Sequence, residues 1–141
     1  MIKILILAAI VTLTTAIGKL LSSEKRKRAK VFEEMYEFNE RLLLNMKYNR
    51  VPISVIADDY PYIKKLLEGD NPLCGEDGNF LDSYKCNLGI TDAMSQIDYL
   101  NERKIAIKKY KEESADDCKK YSSLYMKIFF MVGVLIAVLL A

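Results

Sequence analysis

The sequence predicts an all-α protein: a small cytoplasmic helical bundle built on a long antiparallel helical pair, flanked by N- and C-terminal transmembrane helices. Three observations lead there. Thr91–Ala141 contains no Pro and only one Gly, Gly133, and its apolar or semi-polar residues recur at steps of three and four: Ile97, Leu100, Ile107, Cys118, Tyr121, Tyr125, Ile128. A second stripe of the same period runs through Val31, Phe32, Met35, Phe38, Leu42 and Met46. This spacing marks one face of a helix, whereas a strand alternates every second residue. Both ends of the chain are apolar runs without an acidic residue. The expected division is 1–21 for the first transmembrane helix, 22–127 for the cytoplasmic domain and 122–141 for the second transmembrane helix, the last two overlapping by one turn and a half.

Residues 2–21 (IKILILAAIVTLTTAIGKLL) are long enough as a helix to cross a hydrocarbon core of roughly 30 Å, with Lys3 and Lys19 near the edges where their stems can snorkel. The rival reading is a cleaved signal peptide, since Ala16 and Gly18 are small residues two apart. An uncleaved anchor is favoured: apolar character resumes at Leu20 and Leu21, and a basic block follows. That block, EKRKRAK, sets Lys25, Arg26, Lys27, Arg28 and Lys30 against one acid. At the other end Lys108, Lys109, Lys111, Lys119, Lys120 and Lys127 precede the second apolar run and nothing basic follows it. Basic residues beside a span stay cytoplasmic, so both flanks put the middle of the chain in the cytoplasm. A lipid-binding role for the block is the alternative to a simple solvated flank.

The first amphipathic helix is expected over about 24–48. YNRVP breaks it, with Pro52 as a first helical residue; short helices follow near 53–59 and 62–68, separated by Pro61 and ended by Gly69. The run GDNPLCGEDGN, 69–79, reads as a loop, and its acids are wrongly spaced for calcium. One more helix covers Phe80–Leu88. Gly89 would stop it in a left-handed conformation, and Thr91 or Asp92 would cap the long helix of about 91–127. Lys104, Lys111 and Ser114 weaken the seam of that helix relative to a coiled coil. The two long helices should lie antiparallel, with the short helices capping their far end. The terminal run IFFMVGVLIAVLLA spans once Ser122–Lys127 is added, placing Tyr121 and Tyr125 at headgroup level.

Composition narrows the function. Residues 22–127 hold all 19 acidic and 19 of the 21 basic residues, so the middle is formally neutral and lacks the basic field that nucleic acid requires. With no histidine, Ser-His and Cys-His nucleophile pairs and histidine metal sites are impossible. Cys74, Cys86 and Cys118 are an odd number and read as reduced thiols, buried small apolar residues or bystanders. Asp58–Asp59 and Asp116–Asp117 are adjacent pairs whose side chains diverge by about 100° on a helix, so neither converges on a substrate atom. No catalytic residue, cofactor, metal or small-molecule substrate is expected.

NLGITDAMSQIDYL, residues 87–100, resembles the short signature of the stage III sporulation protein AB family: a Leu-Gly, a gap, an Asp cap and a Gln one turn later, here Leu88, Gly89, Asp92 and Gln96. FNERLLLNMKYNRVPIS is similar to the family's first cytoplasmic helix, which ends in a Tyr, a polar bend and a Pro, here Tyr48 and Pro52. TTAIG in the first apolar run and the layout of two spans around a helical middle are similar too. The family has additional helical turns between the two motifs where this chain offers mainly 69–79. The resemblance implies a component of the transenvelope channel between mother cell and forespore. Its domain would be like that of type II secretion platform proteins, its site the mother-cell membrane, and its partners a secretion-type ATPase and sister membrane proteins. The alternative function is a membrane-tethered sensor or regulator unrelated to sporulation; an enzyme is a distant third.

Overall fold

A computed structural model describes residues 1–141. It contains five helices and no strand: α1 (Ile2–Tyr48), α2 (Ile53–Ala57), α3 (Pro61–Glu68), α4 (Gly75–Cys86) and α5 (Ala93–Leu140). The chain divides into two compact units, one made of 1–29 with 113–141 and the other of 30–112.

In the first unit α1 and α5 pack closely through small residues. A Cβ on Gly18 would meet the Cβ of Phe129 at 3.0 Å, and one on Gly133 would meet the Thr14 hydroxyl at 2.2 Å and the Val11 Cα at 3.2 Å. Ser22 and Ser122 are buried and share a hydrogen bond of 3.0 Å. Thr12, Thr14 and Thr15 donate their hydroxyls to carbonyls of their own helix three or four residues back, so these three hydroxyls are satisfied within the helix. The large side chains face outward: Leu13, Leu20, Leu135 and Leu139 are all more than half exposed. Both helices are long and apolar enough to cross a membrane, and their apolar faces lie on the outside of this unit, the reverse of a soluble protein's core helix. The two ends are consistent with those of a membrane protein.

The second unit has the core. Val31, Phe32, Met35, Phe38 and Leu42 of α1 are fully buried, and Leu100 and Ile107 of α5 meet them, as the two stripes require. Ile56, Ile63, Leu66, Leu81 and Tyr84 close the core from the short helices. Phe32 stacks on Tyr110 at 5.0 Å, and Phe80 lies against Tyr110 at 4.6 Å and against Phe32 at 6.4 Å. One polar link crosses this apolar interior. Asn39, fully buried, donates to the Leu100 carbonyl at 3.2 Å and accepts from the Tyr84 hydroxyl at 3.0 Å.

Two expectations are corrected here. The short helices do not only cap one end of the long pair. Phe80 of α4 packs on Phe32, and the Tyr62 N–H of α3 donates to Glu34 at 2.9 Å, so both helices lie along α1. The stretch 69–79 is not all loop, because α4 begins at Gly75. Asn71 organises that start: its Oδ1 accepts from the Leu73 N–H at 3.0 Å, its amide donates to the Gly78 carbonyl at 2.8 Å, and Glu76 and Asp77 occupy the first turn, where the helix dipole favours negative charge. Elsewhere the punctuation acts locally. Pro61 takes the first position of α3, and Gly69 ends it at φ 102° with its N–H on the Leu66 and Lys65 carbonyls.

Candidate functional site

Two turns far apart in sequence build one pocket in the second unit. The first follows α1. The N–H groups of Asn49 and Arg50 both donate to the Asn45 carbonyl, at 2.9 and 3.0 Å, and Arg50 takes a left-handed φ of 50°. The Asn45 side chain then clamps the outgoing chain, donating to the Val51 carbonyl at 2.7 Å and accepting from the Val51 N–H at 2.9 Å. Pro52 sits just before α2 and its carbonyl accepts from Val55 at 3.1 Å.

The second turn joins α4 to α5. Asn87, at the C-cap position, donates from its side chain to the Ser83 carbonyl at 2.8 Å. Gly89 lies two residues further on, with φ 76°. Its N–H donates to Oε1 of Gln96 at 3.0 Å, so the first turn of α5 reaches back to hold the bend. Asp92 precedes α5 and accepts from the Ser95 N–H at 3.4 Å. The hydroxyl and N–H of Ser95 together hold the Asp92 carboxyl below the usual aspartate range.

Between the turns is a hollow of about 520 Å³, walled by Leu42, Met46, Val51, Pro52, Leu88 and Ala93 and containing Gly89 and Gln96. Four of the six motif residues, Pro52, Leu88, Gly89 and Gln96, therefore line one cavity. Asp92 stands between two lining residues, Thr91 and Ala93, and Tyr48 is exposed on the last turn of α1 outside it. Gln96 is 2% exposed, and its Nε2 has no hydrogen-bond partner in the protein. A buried amide donor without an acceptor costs about 1–3 kcal/mol, so this nitrogen is the chemically distinctive atom of the wall.

The basic residues fall elsewhere. Lys25 lies over the Tyr121 ring at 5.3 Å, and Lys120 lies over the same ring at 5.3 Å. Arg28 pairs with Asp117 at 3.3 Å; Arg26 and Lys127 are exposed and Lys27 is half-buried. Lys30 lines a separate hollow with Glu34, whose carboxyl burial raises above its usual range. Asp58 pairs with Lys64 at 3.0 Å and Asp59 with Arg41, so that acidic pair serves two different cations. Cys74 and Cys86 are exposed and Cys118 half-buried, so none is the buried apolar filler that composition suggested. Sequence reasoning missed Asn39, Asn45 and Arg50. The available signal was an amide recurring along an otherwise apolar helical face.

The pocket brings together apolar walls, an exposed guanidinium and one unpaired amide donor. The family model for stage III sporulation protein AB matches residues 63–141, which include Leu88, Gly89, Asp92 and Gln96 but not Tyr48, Pro52 or TTAIG. No curated protein and no solved structure matches.

Proposed function

The chain belongs to the stage III sporulation protein AB family, and from that premise we propose that it is a non-enzymatic membrane component of the transenvelope complex between mother cell and forespore. It acts as a scaffold. The two apolar helices fix it in the mother-cell membrane, and the helical unit of 30–112 faces the cytoplasm and docks a secretion-type ATPase and sister membrane proteins. The observation that carries this reading is the pairing of an outward-apolar helical hairpin with a helical unit whose hollow between two turns bears apolar walls, the Arg50 guanidinium and the Gln96 amide.

The cytoplasmic orientation is supported by Lys25, Arg26, Lys27, Arg28 and Lys30 beside the first apolar run and Lys127 beside the second. Cys74 and Cys86 are exposed and serve as natural reporters. In intact cells a membrane-impermeant maleimide should leave both unlabelled, and permeabilisation should expose them. Labelling from outside would reverse the topology. Affinity purification of the tagged full chain from sporulating cells should recover a secretion-type ATPase or a sister membrane protein, and recovery of neither would end the scaffold reading.

A further inference from the structure

We propose that the hollow between the α1–α2 and α4–α5 turns is the docking site itself, and that it takes a short apolar segment of a protein partner bearing carboxylates. This assignment rests on the docking role proposed above and names the chemistry that the docking uses.

The apolar part of the argument comes from where the second unit leaves large side chains in solvent. Val51 is shared between this hollow and an adjoining one of about 300 Å³, which Leu44 and Val55 also line. Tyr48 projects from the turn before Arg50, and Ile90 and Met94 flank Gly89, Thr91 and Ala93 at the rim. Ile90 and Met94 are 72% and 75% exposed. The other large apolar side chain that this unit exposes is Ile105, in the first third of α5. A patch this concentrated marks a surface that removes apolar area from water when a partner arrives.

The polar part fixes the occupant's charge. Nε2 of Gln96 is a buried donor whose orientation is set, because Oε1 is already held by the Gly89 N–H. It needs an acceptor oxygen. The lining of the hollow includes Arg50 and no carboxylate; Arg41, in the adjoining hollow, is already paired with Asp59. Ala93 in the wall is the first residue of α5, and Asp92 beside it caps that helix on the Ser95 N–H, so its carboxylate offsets the helix dipole there and the Arg50 guanidinium sets the charge of the lining. A basic segment would be repelled, and a purely apolar one would leave the amide unpaired. An occupant with apolar side chains and a neighbouring carboxylate satisfies both requirements.

The test uses the full chain in a zwitterionic detergent and three fluorescein-labelled peptides of one Leu/Phe framework, carrying Glu, Gln or Lys at the polar positions. The Glu peptide should bind saturably and about tenfold more tightly than the other two, and it should shift the side-chain amide resonances of Gln96. Gln96→Leu should weaken it about tenfold. Because that change also releases the Gly89 turn, Met94→Asp at the exposed rim provides an independent variant with the same expected loss. Equal binding of all three peptides, or none, overturns the proposal, as does full binding by both variants. Two other outcomes also overturn it: a drop in oligomeric mass with Ile90→Asp, which makes a second copy the occupant, and displacement by anionic lipid micelles, which makes it a lipid. If wild type and Met94→Asp recover the same partners from cells, the scaffold reading stands and this site fails. If neither recovers any, the scaffold reading fails irrespective of the peptides.

Discussion

Removing the Tyr84 hydroxyl tests how the second unit is held together. Tyr84 is 1% exposed and its hydroxyl donates to Oδ1 of Asn39, which is itself fully buried. Tyr84→Phe keeps the ring and its stacking on Tyr99 at 6.4 Å but leaves that amide oxygen without a donor. The expected loss is about 1–3 kcal/mol, and for a unit of this size each kcal/mol lowers the melting midpoint by about 4–8 °C. Asn39→Leu leaves the hydroxyl stranded instead, whereas the double variant leaves neither group waiting. The double loss should therefore be smaller than the sum of the single losses by about 1 kcal/mol or more. The assay is urea unfolding of the full chain in mild detergent, followed by far-ultraviolet circular dichroism. Alkaline pH supplies a second readout. Burial pushes the Tyr84 hydroxyl above the usual tyrosine range, so the unfolded chain loses this proton near pH 10 while the folded chain keeps it. Stability from this group is present below about pH 10 and falls as the pH rises beyond it, so the gap between wild type and Tyr84→Phe should narrow there. A single-variant loss under about 0.5 kcal/mol, or strict additivity, would refute the claim that the buried hydrogen bond holds α4 onto the long pair.

Other substitutions probe the remaining contacts. Ser22→Cys with Ser122→Cys, in a background without the native cysteines, should form an intramolecular disulfide readily. Adding Gly133→Leu should suppress it, because the new side chain collides with Thr14 and the Val11 backbone; unchanged cross-linking would disprove that close approach. Gly89→Ala meets no atom within 4 Å, so it should cost only the left-handed backbone strain of about 1 kcal/mol, while Gly89→Pro, which also deletes the N–H held by Gln96, should cost more; thermal melts rank the two. Asp92 has a lowered pKa, so its contribution is present above about pH 4 and is lost as the pH falls through its folded value. Asp92→Asn should flatten the acid limb of the melting profile and leave the neutral value nearly unchanged.

The elements were legible because they are written locally. The stripe from Val31 to Leu42 is buried because each residue follows the last by one helical turn or less, a relation visible without any partner. Pro61 and Gly69 delimit α3 through their own backbone preferences. The start of α4 was not legible, because Gly75–Asn79 looks like a run of turn formers until the Asn71 side chain closes onto Gly78. The role of Gln96 stayed open for a similar reason: its choice between a neighbouring helix, a partner and the Gly89 backbone depends on how the α4–α5 turn folds.

By itself the sequence determined the helical class, the two apolar ends, the stripes that bury and the resemblance to the family. Those are consequences of period and of side-chain solvation, which act within a few residues. Only the tertiary structure decided that the turn at Asn45–Ile53 and the turn at Leu88–Ala93 enclose a common hollow, that Asn39 reaches Leu100 and Tyr84, and that one nitrogen of Gln96 is left without an acceptor. Residues this far apart in the chain carry no mark of their pairing. It is set by which arrangement of packed helices excludes the most apolar surface from water, a property of the whole unit rather than of any segment in it.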